Sequence, residues 1–165
     1  MNELRAKYGP DYEQPTAVPM LTDGYNLPAK KVIHIVGPIV SGRLTKDLEQ
    51  DLADCYRNTL DLCLENGIRS VAFCCISTGV FHFPNRRAAE IAVKTVTDWL
   101  DEHSGHNERA RTAQEAERAR TAGTSASRTA HEMERVIFNV FKDEDKAYYE
   151  TELRLASERI SGIDQ

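Results

Sequence analysis

Ser77-Thr78-Gly79-Val80-Phe81-His82-Phe83-Pro84 is the stretch of this chain whose residue types best suit the holding of an anion. Small side chains and a glycine let consecutive backbone N–H groups approach a ligand closely. Successive amides then form a concave nest for a phosphate or pyrophosphate. A second candidate is Asn139-Val140-Phe141. A side-chain amide there suits a ribose hydroxyl, and the ring suits the face of a base. From residue types alone the alternatives stay open. A single glycine in a loop between strand and helix is common. Phe81, Phe83 and Phe141 fit core positions as readily as ligand platforms, and Asn139 could simply end a strand.

Other reactive groups point to less. The four cysteines, Cys55, Cys63, Cys74 and Cys75, form no CxxC pair and lie in apolar segments, which reads as small, buried, reduced thiols. His34 sits within a short apolar run and reads as a structural core histidine. His103, His106 and His131 fall in a polar stretch with no cysteine nearby, a poor arrangement for zinc.

The elements that must position these groups alternate. Lys31–Val36 is a β-branched run ended by Gly37-Pro38, a buried strand and a turn. From about 45 to 66, Leu48, Leu52, Cys55, Thr59 and Leu62 fall on one helical face, and Gly67 stands at the C-cap. Ser70–Ile76 is continuously apolar, predicting a strand covered on both faces. The candidate anion loop follows it. A helix then begins near Asn85, a good N-cap, with Ala89, Val93, Val96 and Leu100 inward. Arg135–Phe141 is a third strand, and Lys142-Asp143-Glu144-Asp145 leads into a last helix over about 144–158. This order predicts an α/β fold with mostly parallel strands and right-handed crossovers. The loop after the second strand would lie at the carboxyl end of the sheet, where open α/β folds bind ligands.

Two segments fall outside the alternation. Residues 1–24 are polar and rich in proline, and read as irregular. Residues 101–131 contain ERARTA twice, at 108–113 and 117–122, and read as a low-complexity insertion in a surface loop.

Composition narrows the function. Hydrophobic residues make up 41% of the 165 residues, a little under the usual ~45–50%, as an insertion outside the core would produce. The net charge of −5 and the lack of a basic stripe argue against nucleic acid. No apolar run reaches the ~20 residues of a membrane span, and the first residues hold no signal-like apolar segment. The expected setting is the cytoplasm.

Three ordered motifs carry a family resemblance. Tyr25–Pro38 (YNLPAKKVIHIVGP), Ala72–Phe81 (AFCCISTGVF) and Val136–Asp145 (VIFNVFKDED) resemble macrodomains, modules that recognise ADP-ribose. The wording GYNLPAK and FNVFKDED is most similar to the zinc-dependent microbial ADP-ribosyl hydrolase branch. The resemblance implies a three-layer α/β/α sheet, with residues 25–158 as the C-terminal part of a macrodomain and the N-terminal part lacking. It implies that Ser77, Thr78, Gly79, Val80 and Phe81 wrap the diphosphate, with Phe81 near the proximal ribose. Asn139 and Phe141 would lie beside the adenosine half. The implied activity is removal of mono-ADP-ribose from modified proteins, with ADP-ribose or ADP-ribosylated protein as partner. A non-catalytic ADP-ribose- or nucleotide-binding module, or an inactive remnant, is the alternative. Two departures stand out. His82 occupies a position where the family usually has glycine. Residues 1–24 hold none of the cysteine, histidine or asparagine-rich elements that the family places early. No catalytic residue and no metal ligand is assigned; zinc belongs to the resembled branch and not to a site in this chain.

Overall fold

A computed structural model describes residues 9, 11–103 and 133–161. The order is β1 (Met20–Asp23), β2 (Lys31–His34), α1 (Lys46–Glu65), β3 (Ser70–Phe73), α2 (Asn85–His103), β4 (Arg135–Phe138) and α3 (Asp143–Ser161). The repeat-bearing stretch after His103 lies outside the described residues.

α1 starts and stops for local reasons. Thr45 caps α1, its hydroxyl accepting from the Leu48 amide at 3.3 Å. Gly67, at φ +65°, closes its far end, with the Ile68 amide returning to the Cys63 carbonyl at 2.8 Å. Leu52, Cys55, Tyr56, Thr59, Leu60 and Cys63 form the buried stripe of α1. Ala88, Ala89, Ile91, Ala92, Val93, Val96 and Trp99 form that of α2. α2 packs against both α1 and α3. Three polar ties fix the first of these contacts, one of them Arg57 of α1 forking onto Glu102 of α2 at 2.8 and 3.0 Å. The buried Trp99 indole donates to Asp61 at 2.7 Å, and Arg87 forks onto Glu49 at 2.6 and 3.1 Å.

β3 and β4 pair in parallel, Phe73 opposite Phe138. On that face Tyr56 of α1 lies 5.0 Å from the Phe73 ring, and Tyr149 of α3 lies 5.0 Å from Phe138. One aromatic cluster therefore joins the parallel pair to two helices.

Several expectations need correction. The α/β class stands, but β1 and β2 run antiparallel and form a sheet separate from β3–β4. The tight turn at Gly24-Tyr25 folds the chain straight back: a Cβ on Gly24 would lie 1.8 Å from the Ala29 carbonyl oxygen. Met20–Asp23, within the stretch read as irregular, is a strand because it pairs with Lys31–His34, and flanking prolines masked it in the sequence. The apolar runs of β3 and β4 are not covered on both sides. Ser70, Ala72, Arg135 and Ile137 all face outward and are exposed, and no described helix lies over them. The second helical layer of the expected sandwich is thus not present among the described residues. Exposure extends to Cys74, so only Cys55 and Cys63 are fully buried thiols. His34 is exposed at the end of β2, where its ring meets the Thr22 hydroxyl at 3.0 Å, rather than in the core.

Candidate functional site

The loop 76–83 leaves β3 and enters α2, and its shape is held from within. Thr78 Oγ1 donates to the Cys75 carbonyl at 3.2 Å. The His82 amide reaches the Gly79 carbonyl at 3.0 Å, and the Phe83 amide reaches the Ser77 carbonyl at 3.0 Å. Phe83 is buried and pins the exit of the loop. Ser77 and His82 stand at φ +63° and +56°, a conformation that side-chain-bearing residues adopt at a cost of roughly 1 kcal/mol or more. The amides of residues 77–81 donate to no backbone carbonyl among the described residues. They are the available donors of the loop. The N-terminus of α2 follows at once, adding its partial positive charge.

Gly79 and Val80 are the exposed tip, Val80 at 84%. Nothing lies within 4 Å of a Cβ built on Gly79. Ser77 differs: its hydroxyl is turned inward and buried with no partner. Its share in an anion site is therefore its amide, not its side chain. The Thr78 hydroxyl is likewise engaged within the loop.

Asn139 and Phe141 lie just beyond β4. The Asn139 amide extends the parallel ladder to the Phe73 carbonyl at 2.8 Å, and its carbonyl faces the Cys75 thiol at 3.9 Å. The chain after β4 is thereby held beside the chain after β3. Phe141 is 98% exposed and packs on nothing, so it is no core residue. The two stretches that hold every candidate binding residue thus leave neighbouring parallel strands at the same end.

Beneath them Tyr56 and Tyr149 are buried. Burial pushes the Tyr149 phenol up to about 12 and the Tyr56 phenol well above its usual range. Burial, reinforced by the Asp145 carboxylate, raises the Cys75 thiol. All three are neutral at physiological pH.

Three features escape a reading of the sequence. Asn85 does not cap α2; its side chain donates to the buried Asp145 at 2.6 Å, tying the start of α2 to the start of α3. Asp145 shows in the sequence only as part of an acidic first turn. Val40 donates its amide to the Phe81 carbonyl at 2.9 Å, and Gly37 packs against Ser77. The Gly37-Pro38 pair is the available signal; the turn expected there is irregular chain in the structure, and nothing in the pair says which loop it touches.

No group of three His, Cys, Asp or Glu side chains comes together among the described residues. The described residues therefore offer no ligand set for the zinc ion of the resembled branch.

The Macro domain family matches residues 1–92. A solved structure of the Oceanobacillus iheyensis macrodomain with ADP is 30% identical and superposes with a TM-score of 0.72, over 96% of this chain and 68% of that one. The Trypanosoma brucei macrodomain in complex with ADP-ribose is 32% identical with a TM-score of 0.60, over 83% of this chain and 45% of that one. A protein-ADP-ribose hydrolase of Treponema medium is 42% identical over 138 residues, 84% of this chain. The human ADP-ribose glycohydrolase MACROD2 is 41% identical over 133 residues, 81% of this chain. The chain spans 42% of the length of the Treponema protein and 25% of the human one.

Proposed function

From the premise that this chain belongs to the Macro domain family, we propose that it binds ADP-ribose and acts in removing ADP-ribose from modified proteins. The observation that carries this reading is the row of undonated amides at 77–81, set at the carboxyl end of a parallel strand and beside a helix N-terminus. Ser77, Thr78, Gly79, Val80 and Phe81 would donate to the diphosphate through the backbone. Phe141 would offer its free ring to the adenine, and Asn139 its side chain to the adenosine half. The names of the Treponema and human relatives support the hydrolytic part.

Chemically, such a site works by position. Fixed amides hold the diphosphate and with it the ribose, so that water meets the anomeric carbon in one orientation as the bond to the protein side chain breaks. No described residue is assigned the proton transfers. The described side chains do not form the zinc site of the resembled branch.

A second reading, binding without turnover, is favoured by one observation: what the loop presents is backbone amides and, beside it, the exposed Phe141 ring, both of them binding groups. The unpaired thiols fit a reducing setting such as the cytoplasm, which we propose as its location. The net charge of −5 fits a partner other than nucleic acid. No described helix is long and apolar enough to cross a membrane.

The test is calorimetry of the chain with ADP-ribose, together with release of ADP-ribose from a mono-ADP-ribosylated protein. Binding at about micromolar Kd, near −8 kcal/mol, with release supports the hydrolase. Binding without release supports the second reading. A cooperatively melting chain that binds nothing would overturn both.

A further inference from the structure

We propose that the segment Gly37–Val40 is the positioning element of the amide loop, and that Gly37 is glycine because any side chain there would push Ser77 out of place. This inference rests on the reading of residues 77–81 as the diphosphate site.

Gly37 is not in the left-handed region, so its backbone alone does not demand glycine. Space does. A Cβ built on it would lie 2.2 Å from Ser77 Oγ, 2.6 Å from Ile76 Cγ2 and 3.5 Å from Ser77 Cβ. Contacts under 3.0 Å are not tolerated, so something must shift. Both atoms are side-chain ends, so what matters is whether they can turn away: Ile76 can change its χ1 well, whereas Ser77 has less room. Gly37 and Pro38 are buried, and Ile76 is in the core. Ser77 is already at φ +63°, with its hydroxyl enclosed and unpartnered.

Three residues on, the same segment grips the other end of the loop through Val40 N–H to the Phe81 carbonyl, 2.9 Å. Val40 is itself buried. Gly37 thus bears on the first residue of the amide row and Val40 on the last. With Ser77 packed and Phe81 tethered, Thr78, Gly79 and Val80 are suspended between two fixed points. An enclosed, unpaired hydroxyl costs stability. Its retention makes sense if the packing against Gly37 sets the angle of the Ser77 peptide and so the direction of the amides after it. Neither Gly37 nor Val40 needs to touch ligand; they act through the loop.

The test compares the chain with Gly37→Ala and with the double variant Gly37→Ala/Ser77→Gly. The double variant removes the 2.2 Å obstruction and puts glycine at the positive φ. The remaining contact, with Ile76 Cγ2, is relieved by a change of χ1 well. Affinities for ADP-ribose and for adenosine are both measured. Adenosine lacks the diphosphate, so loss of loop geometry lowers the ratio of the two, whereas general loosening lowers both alike. Gly37→Ala is expected to reduce that ratio by at least about tenfold, and the double variant to return it to within about threefold of the parent.

A folded Gly37→Ala protein with an unchanged ratio overturns the proposal. If Gly37→Ala does not fold, the double variant decides: a folded double variant with the parent ratio supports it, and any other result overturns it. Amide NMR separates this failure from failure of the ADP-ribose reading. Should the parent chain bind no ADP-ribose, displaced Thr78–Phe81 amide resonances in Gly37→Ala, with α1 unmoved, would still support the positioning role. Unmoved resonances would refute it.

Discussion

Replacing Gly79 with glutamate puts a negative charge where the proposed site needs positive potential and leaves the rest of the fold alone. A Cβ at this position meets nothing within 4 Å, and the backbone is outside the left-handed region. The residue is exposed at the loop tip. The substitution should therefore shift the melting temperature by no more than about a degree or two, as exposed changes away from special features do. Its effect on an anion can be bounded. Two unit charges about 4 Å apart interact by about 4 kcal/mol at an effective dielectric of roughly 20. Halving this for a loop facing solvent leaves about 2 kcal/mol, or roughly a thirtyfold rise in Kd. A diphosphate carries more than one charge, so roughly thirtyfold is the lower bound. Calorimetry with ADP-ribose at low and high salt provides the assay, because part of the loss should be screened at high salt. An affinity unchanged in Gly79→Glu would mean that the anion does not sit over residues 77–81, and the reasoning from the free amides would fail.

Phe141→Ala should leave thermal stability unchanged, since the ring is 98% exposed, yet weaken ADP-ribose about tenfold if the ring stacks on adenine; a parallel loss of stability would instead place the ring in a core. The chain should also lose stability in alkali. Burial holds the Cys55 thiol up to about 12 and the Cys63 thiol up to about 11, while an unfolded thiol ionises near 9. Because the folded values are raised, their contribution is whole below about pH 9 and drains away as pH climbs through about 11 to 12. Melting temperature measured from about pH 8 to 11.5 should be flat at first and then fall, and a rise over that range would contradict the burial of both thiols.

The helices are legible in the sequence because their signals are local. Leu52, Cys55 and Thr59 mark one face of α1 by spacing alone, and Gly67 marks its end. The candidate loop is legible for the same reason, being contiguous. What escapes is decided by distant partners. Met20–Asp23 is a strand only because Lys31–His34 returns to pair with it. Asn85 has the residue type of a cap but donates to Asp145, sixty residues on. The apolarity of Val71-Ala72-Phe73 predicts burial on both sides, yet burial depends on what lies opposite, and Ala72 has nothing over it in the described fold. The Gly37–Ser77 approach belongs to the same class: a glycine without positive φ gives no hint of the atom it is avoiding.

The outward side of the parallel pair has a practical use. Cys74 stands on it in the open, while Cys55 and Cys63 are sealed in the core. A thiol-labelling time course would therefore resolve into separate rates. Cys74 should be alkylated on the timescale of the reagent, and Cys55 and Cys63 only as fast as the molecule opens. Any polypeptide that settled over Ala72 and Ile137 would slow the first rate without touching the second. One mass spectrum per time point would then report the covering of that surface and the opening of the whole fold together.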